Sequence, residues 1–149
     1  TILTDINKSK EANADLILCF LHWGKEYSDS QSESQEQLSN WLHAHGVKLV
    51  IGSHPHVVQP VISYQTGSKI DGITAFSLGN LISNQRSGKR KNGLILEVNL
   101  TINDGELVIS NFVEYPTFVK RSPTNNTGFY NYLITLPSLP APISQTAGL

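Results

Sequence analysis

The sequences LILCFLHWG at residues 16–24 and VKLVIGSHPH at residues 47–56 determine the predicted fold. Each contains a short apolar run, which is typical of a strand buried on both faces. The residues between them include apolar side chains at helical spacing. The order strand, helix, strand predicts a parallel βαβ unit with a right-handed crossover.

Two helices are expected around these strands. A surface helix is predicted at about residues 2–13, and the crossover helix is predicted to start with a capping box of Ser34 and Gln37. Gly46 is typical of the position just after a helix end. The predicted apolar face of the crossover helix consists of Leu38, Trp41, Leu42 and His45.

The pattern then changes to short strands with short connections. Strands are predicted at residues 57–64, 70–78, 93–100 and 106–115. Asn103-Asp104-Gly105 predicts a type I′ hairpin turn between the last two, because Asp-Gly tolerates positive φ angles. The fold class is therefore α/β (α+β), with a βαβ unit followed by an antiparallel sheet.

The main domain is expected to span residues 1–115, followed by a partly ordered extension at residues 116–149. Within that extension, residues 129–136 are predicted to form one short element. Residues 137–149 contain several Pro and Ser residues and are predicted to be an exposed tail or linker.

Composition excludes several classes of protein. The chain has 149 residues, 39% of them hydrophobic, and a formal net charge of −1. It has no basic stripe of the kind that a nucleic-acid-binding domain carries, and no apolar run near the ~20 residues of a membrane helix. Its single cysteine, Cys19, cannot form an intrachain disulfide. Because the chain contains no Met, we expect a trimmed piece of a longer protein.

Three histidines follow the two predicted buried strands. His22 ends the first strand, and His54 and His56 follow the second. Ligands of open α/β sheets bind at the carboxyl ends of the strands, so adjacent strands would bring the three imidazoles to one rim. Neutral imidazole is a good ligand for zinc, iron, manganese or nickel. The two histidines around Pro55 would share a side if the backbone there were extended.

Structural interpretations compete with this one. A lone histidine at a strand end is usually a hydrogen-bonded polar residue, but the combination at two strand ends favours a metal site. His43 is predicted to lie on the solvated side of the crossover helix, and His45 is interpreted as structural. Both are therefore excluded from the site.

Three sequence motifs, two of which contain these histidines, resemble those of a known protein family. They are His22-Trp23-Gly24-x-Glu26-Tyr27, Gly52-Ser53-His54-Pro55-His56-Val57-x-Gln59-Pro60 and Phe76-Ser77-Leu78-Gly79-Asn80. They closely resemble motifs of the CapA family, which is associated with poly-γ-glutamate capsule synthesis. The resemblance covers roughly residues 1–115. It implies half of a calcineurin-like metallophosphoesterase sandwich.

The resemblance also implies a site with two divalent metal ions, Mn, Zn or Fe, in the complete protein. His22 and His54 would bind one metal, and His56 the other. The remaining ligands of that superfamily lie in Asp-x-His, Gly-Asp and Asn-His or Asn-Glu motifs of an N-terminal half, which this sequence lacks. We therefore expect partial or no metal occupancy in this chain. Metals in such sites lower the pKa of a bound water and clamp the substrate oxygens.

Further site residues are predicted around the histidines. Glu26 is the candidate catalytic acid or base, with a surface carboxylate paired to a cation such as Lys25 as the alternative. Tyr27 and Asn80 are candidate substrate-binding residues, although a turn-forming role suits Asn80 equally well. Residues 89–91, Lys-Arg-Lys, could attract an anionic polymer or form a solvated turn.

Two functions are weighed from the sequence. The first is a metal-dependent phosphoesterase-type hydrolase of capsule biosynthesis, incomplete and inactive as this isolated chain, acting on a phosphoester or an anionic polymer. The alternative is a non-catalytic accessory module that binds an anionic cell-surface polymer or a membrane synthase partner. A purely structural domain is the third, weaker option. An extracytoplasmic location at the cell surface is expected in either functional case, with no nucleic-acid partner.

Overall fold

The predicted βαβ unit is present in the computed structural model, which describes residues 1–85, 88–123 and 130–136. Its helices and strands are α1 (Ile2–Glu11), β1 (Leu18–His22), α2 (Glu33–Ala44), β2 (Leu49–Ser53), β3 (Val61–Thr66), β4 (Lys69–Ala75), β5 (Asn92–Asn103), β6 (Glu106–Pro123) and β7 (Tyr130–Thr135). A 3₁₀ turn, Gly88–Lys91, precedes β5. The helix predicted at residues 2–13 is therefore confirmed, two residues shorter at its end.

One mixed sheet contains all seven of these strands. β1 pairs in parallel with β2, and β2 pairs in parallel with β4. The remaining pairs, β3 with β4, β4 with β6, β5 with β6 and β6 with β7, are antiparallel. The prediction of a βαβ unit followed by antiparallel strands is confirmed.

The hairpin between β5 and β6 has the predicted turn. Asn103 pairs with Glu106 across a two-residue loop. Asp104 has a φ of 50° and Gly105 a φ of 83°, as a type I′ turn requires. The local turn sequence therefore accounts for the register next to the loop, and a shift between Asn99 and Leu100 changes it further along the hairpin.

The core lies on both faces of the sheet. On one face the two helices cover a cluster of Ile6, Leu42, Val47 and Val50. On the other face Leu49 packs with Ile73 and Ile109. Leu49 and Val50 belong to opposite clusters because successive strand side chains point to opposite faces. The prediction that β2 is buried on both faces is confirmed.

The same prediction is wrong for β1. Phe20 is 75% exposed and Leu18 is 40% exposed. β1 ends the strand order of the described sheet. The helices cover only the face that carries Cys19 and Leu21, so the other face of β1 has no cover among the described residues.

The buried face of α2 differs from the predicted one. The capping box uses Ser32 and Gln35, two residues before the predicted pair. Two of the three buried helix residues, Gln35 and Ser39, are polar, and the third is Leu42. Trp41 is 36% exposed and stacks on His45, with ring centres 4.0 Å apart. Polar residues occupy the buried face because they have buried partners: Gln35 bonds Gln59 in the loop before β3, and Ser39 bonds Thr74 in β4.

The prediction that His43 is solvated is wrong. Its Nδ1 donates to the carbonyl oxygen of Val47 at 2.8 Å, so its Nε2 accepts from the Thr74 hydroxyl at 2.7 Å. Ser39 Oγ lies 2.7 Å from Thr74 Oγ1 and 2.9 Å from the Tyr64 hydroxyl. A chain of hydroxyl donors from Tyr64 to His43 satisfies every member when the imidazole is neutral.

This network predicts a loss of stability at mildly acidic pH. Burial lowers the pKa of His43, and Lys48 lowers it further, against the opposing effect of the Val47 hydrogen bond. In the unfolded chain His43 binds a proton near pH 6.5, whereas in the folded chain it stays neutral to lower pH. The contribution of neutral His43 to the free energy of unfolding is therefore present above pH 6.5 and declines as the pH falls below it. We expect the urea midpoint to fall between pH 7.5 and 5.5, and to fall less in His43→Gln. An equal pH slope in both proteins would contradict this assignment.

Several element boundaries also differ from prediction. β3 begins at Val61 rather than residue 57, because residues 54–57 form bends. β6 continues to Pro123, past the predicted strand end at residue 115, and pairs with β7, the short element predicted at residues 129–136. The tail predicted at residues 137–149 lies outside the described residues. Neither described helix is both long and apolar enough to cross a membrane.

Candidate functional site

His22 and His54 meet at the carboxyl ends of β1 and β2. The register pairs His22 with Ser53, which brings His54 next to His22. Their ring centres lie 4.5 Å apart, with a tilt of 50°. The predicted convergence of these two imidazoles therefore follows from the parallel pairing. We call His22, His54 and His56 the imidazole edge.

The backbone around Pro55 is not extended, so the condition under which His54 and His56 would share a side is not met. His54 has a φ of 104° and His56 a φ of 58°. Positive φ is uncommon for residues other than glycine, costs about 1–3 kcal/mol, and clusters at functional sites. The ring centres of His54 and His56 are consequently 6.4 Å apart. The following proline excluded helical conformation at His54 but did not enforce an extended one.

Backbone hydrogen bonds connect the two motif loops. Tyr27 N–H donates to the carbonyl of Pro55 at 2.7 Å, and Trp23 N–H donates to that of Ser53 at 3.1 Å. Ser53 Oγ donates to the carbonyl of Leu21 at 3.2 Å. The loop after β1 and the loop after β2 are thus held as one unit.

Trp23 anchors this unit to β4. Its Nε1 donates to the carbonyl of Phe76 at 2.9 Å, and its ring stacks on that of Phe76 with centres 5.7 Å apart. Gly52 leaves space for this contact, since a Cβ there would overlap Trp23 and the Phe76 carbonyl. Trp23 is partly buried and packs against the cluster beneath the two helices.

Glu26 and Tyr27 lie beside His56. Glu26 Oε1 is 3.9 Å from His56 Nε2, with about half of the Glu26 side chain exposed. Tyr27 has a φ of 64°, and its ring centre lies 6.1 Å from that of His56. Glu26 therefore lies next to His56, and within the described residues no ion pair joins it to Lys25.

Asn80 orients His56. Its Nδ2 donates to the carbonyls of His56 at 3.0 Å and Arg90 at 2.9 Å. Because Nδ2 faces two acceptors, the orientation of the amide is determined, and Oδ1 must accept from His56 Nδ1 at 3.0 Å. In neutral His56 the lone pair then lies on Nε2, the nitrogen nearest Glu26. This hydrogen bond is of the kind that orients metal-binding histidines.

Gln59 is a site residue to which the sequence assigned no role. Its Nε2 donates to the carbonyls of Ser28 and Ser30, both at 2.9 Å. Its Oε1 accepts from Gln35 Nε2 at 3.3 Å. These bonds hold the loop that carries Glu26. The signal was its place in the motif at residues 52–60, where a glutamine follows the histidine pair.

The basic turn folds against the same loop. The Arg90 guanidinium carbon lies 3.8 Å from the centre of the Tyr27 ring, and Lys89 pairs with Asp29. A shallow cavity of about 300 Å³ opens here, lined by Tyr27, Asp29, Val57, Gly88, Lys89 and Arg90. The sequence pattern at residues 89–91 did not connect this turn to the histidines.

These residues fit a metal centre only in part. The imidazole edge offers nitrogen ligands and Glu26 one carboxylate. Within residues 1–85, 88–123 and 130–136, however, no three His, Cys, Asp or Glu side chains are arranged to hold one ion. Two adjacent dications also need anionic ligands to offset their repulsion, and neutral imidazoles supply none.

Comparisons with known proteins agree on one family. The family model described as "Bacterial capsule synthesis protein PGA_cap" matches residues 1–85. The chain is 33% identical over 105 residues, 68% of its length, to "Capsule biosynthesis protein CapA" of Bacillus anthracis. It is 28% identical over 98 residues, 66% of its length, to "PGA biosynthesis protein CapA" of Bacillus subtilis (strain 168). It spans only 24% of each of these relatives.

Proposed function

This chain belongs to the bacterial capsule synthesis protein family, and from that membership we propose that it carries part of a metal-dependent phosphoesterase-type site. The whole protein would act in synthesis or export of an anionic capsule polymer such as poly-γ-glutamate, at the extracytoplasmic cell surface. Its substrate would be a phosphoester or an amide of that polymer. The described residues supply one side of the site.

The contact between His22 and His54 carries this proposal. Two imidazoles with centres 4.5 Å apart at adjacent strand ends are close enough to share one divalent ion. His56 would bind a second ion through Nε2, the nitrogen left free by its bond to Asn80. Zinc and iron suit imidazole nitrogen, and manganese would need carboxylate oxygens beside it. Further anionic ligands would have to come from outside the described residues.

The remaining residues have distinct proposed roles. Glu26 is about half exposed beside His56 and suits proton transfer or a substrate contact. Tyr27 is 40% exposed and available to substrate. Asn80 is only 8% exposed and its amide is occupied by His56 and Arg90, so we assign it a positioning role, where the sequence left substrate contact and turn formation open.

Metal content tests this proposal directly. The chain is loaded with zinc or manganese, dialysed and analysed for bound metal, beside the His54→Ala/His56→Ala variant. We expect weak, substoichiometric binding by the chain and a several-fold lower content in the variant, because nitrogen ligands are lost.

The matched control is His45→Ala, which removes a histidine stacked on Trp41 in α2. It should bind as much metal as the parent chain. Equal metal content in the double variant and the parent would refute the metal site. We also expect no turnover of aryl phosphates by the chain, and chelator-sensitive turnover would contradict the proposed incompleteness.

The accessory binding module remains the second candidate. It is favoured by the absence, in the described part of the chain, of three donors arranged around one ion. Such a module would bind a glutamate oligomer equally well with and without chelator. A binding constant that depends on added metal would instead favour the phosphoesterase-type site.

A further inference from the structure

A cationic side chain that has no carboxylate partner within the described part of the chain lies next to the imidazole edge. Arg90 stacks its guanidinium 3.8 Å from the centre of the Tyr27 ring, which in turn lies 6.1 Å from the His56 ring. Stacking on an aromatic face leaves the N–H donors at the guanidinium rim available to an anion. Arg90 is therefore a neighbour of His56, although 34 residues separate them in the sequence.

Asn80 holds this arrangement together. One amide nitrogen donates to the carbonyls of both His56 and Arg90. The amide oxygen of the same side chain accepts from the His56 ring. The basic turn and His56 therefore cannot shift independently. A charged group fixed to the backbone of a site residue is preorganised for a ligand there.

The cationic side chains that line the cavity beside Tyr27 are Lys89 and Arg90. Lys89 contacts Asp29, and Glu26 lies 3.9 Å from His56. No carboxylate pairs with Arg90 among the described residues. A guanidinium presents parallel N–H donors that match the two oxygens of a carboxylate or phosphate.

We propose that Arg90 and Tyr27 form an oxyanion subsite, which binds a phosphoryl or carboxylate group of the substrate beside the imidazole edge. The cavity of about 300 Å³ that both residues line is large enough for one such group. As a substrate subsite, this rests on the proposed function. As an anion site, it rests on the placement of Arg90 alone.

Binding of two probes tests the subsite. Inorganic pyrophosphate and a short glutamate oligomer are titrated into the chain at low salt by calorimetry. We expect Arg90→Ala to weaken binding about tenfold, because a charge-assisted hydrogen bond is lost. Arg90→Lys keeps the charge without the planar fork and should weaken binding about threefold. A loss of affinity for pyrophosphate supports a phosphoryl ligand, and a loss of affinity for the glutamate oligomer supports a carboxylate ligand.

Lys91→Ala is the matched control. Lys91 lies in the same turn but over the ring of Phe118, at 5.9 Å. It should change affinity less than twofold. Three results would overturn the subsite. The chain could bind neither probe, Arg90→Ala could bind as the parent does, or Arg90→Ala and Lys91→Ala could lose the same affinity. Unchanged circular dichroism of Arg90→Lys excludes misfolding as the cause of its loss.

The metal analysis separates this inference from the proposed function. If His54→Ala/His56→Ala keeps its metal while Arg90→Ala loses anion binding, the metal site fails and the anion site stands. If metal content depends on the histidines while Arg90→Ala binds both probes normally, the subsite alone fails.

Discussion

Replacing Gly52 with alanine is expected to destabilise the protein by about 3 kcal/mol or more, because backbone would have to move. An added Cβ would overlap the carbonyl oxygen of Phe76 and Nε1 of Trp23. Those two atoms form the hydrogen bond that anchors the first motif loop to β4. The substitution would therefore separate β2 from its neighbour and displace His54.

The measurement is the free energy of unfolding from urea denaturation. Gly67→Ala is the control, since no atom lies within 4 Å of its Cβ position but its φ is +60°. It isolates the cost of left-handed backbone, about 1 kcal/mol. If Gly52→Ala lowers the free energy of unfolding no more than Gly67→Ala does, the close approach of Phe76 and Trp23 to Gly52 does not limit stability.

Replacing Asn80 with alanine is expected to cost about 3 kcal/mol, because buried polar partners would remain unsatisfied. The His56 ring and the carbonyls of His56 and Arg90 would lose their bonds to this amide. Metal affinity should also fall about tenfold to a hundredfold, as it does when the group orienting a metal-binding histidine is removed.

Asn80→Asp tests which half of the amide matters. It retains an acceptor for His56 but turns an oxygen toward two carbonyls, so it should be no more stable than the alanine variant. Asn99→Ala is the control, since Asn99 is exposed and bonds Glu97 at 3.3 Å. It should change stability by less than about 0.5 kcal/mol. A stable Asn80→Asp variant would show that the two donor bonds contribute little.

The predicted elements that were confirmed depend on local sequence. The apolar runs at residues 16–21 and 47–51 led to β1 and β2, because backbone hydrogen bonding and side-chain alternation act over a few residues. The turn at Asp104-Gly105 was predicted for the same reason. The parallel order then brought His22 to His54, so part of the site also followed from the sequence.

The failures arose where partners are distant in the chain. Gln35 and Ser39 look like solvent-facing residues, and their burial is favourable because Gln59 in the loop before β3 and Thr74 in β4 bond them. His43 was placed in solvent for the same reason. The exposure of Phe20 depends on whether another element covers that face of β1, and the local sequence pattern does not indicate this.

The sequence by itself determined the family, the βαβ unit and the position of three histidines at strand ends. Those features depend on short-range periodicity and on motifs that stay contiguous. Only the tertiary structure decided the left-handed turn at His54 and His56, the orientation of His56 by Asn80 and the placement of Arg90 over Tyr27. The physical reason is that hydrogen bonds and stacking between residues far apart in sequence form only when the sheet brings the loops together.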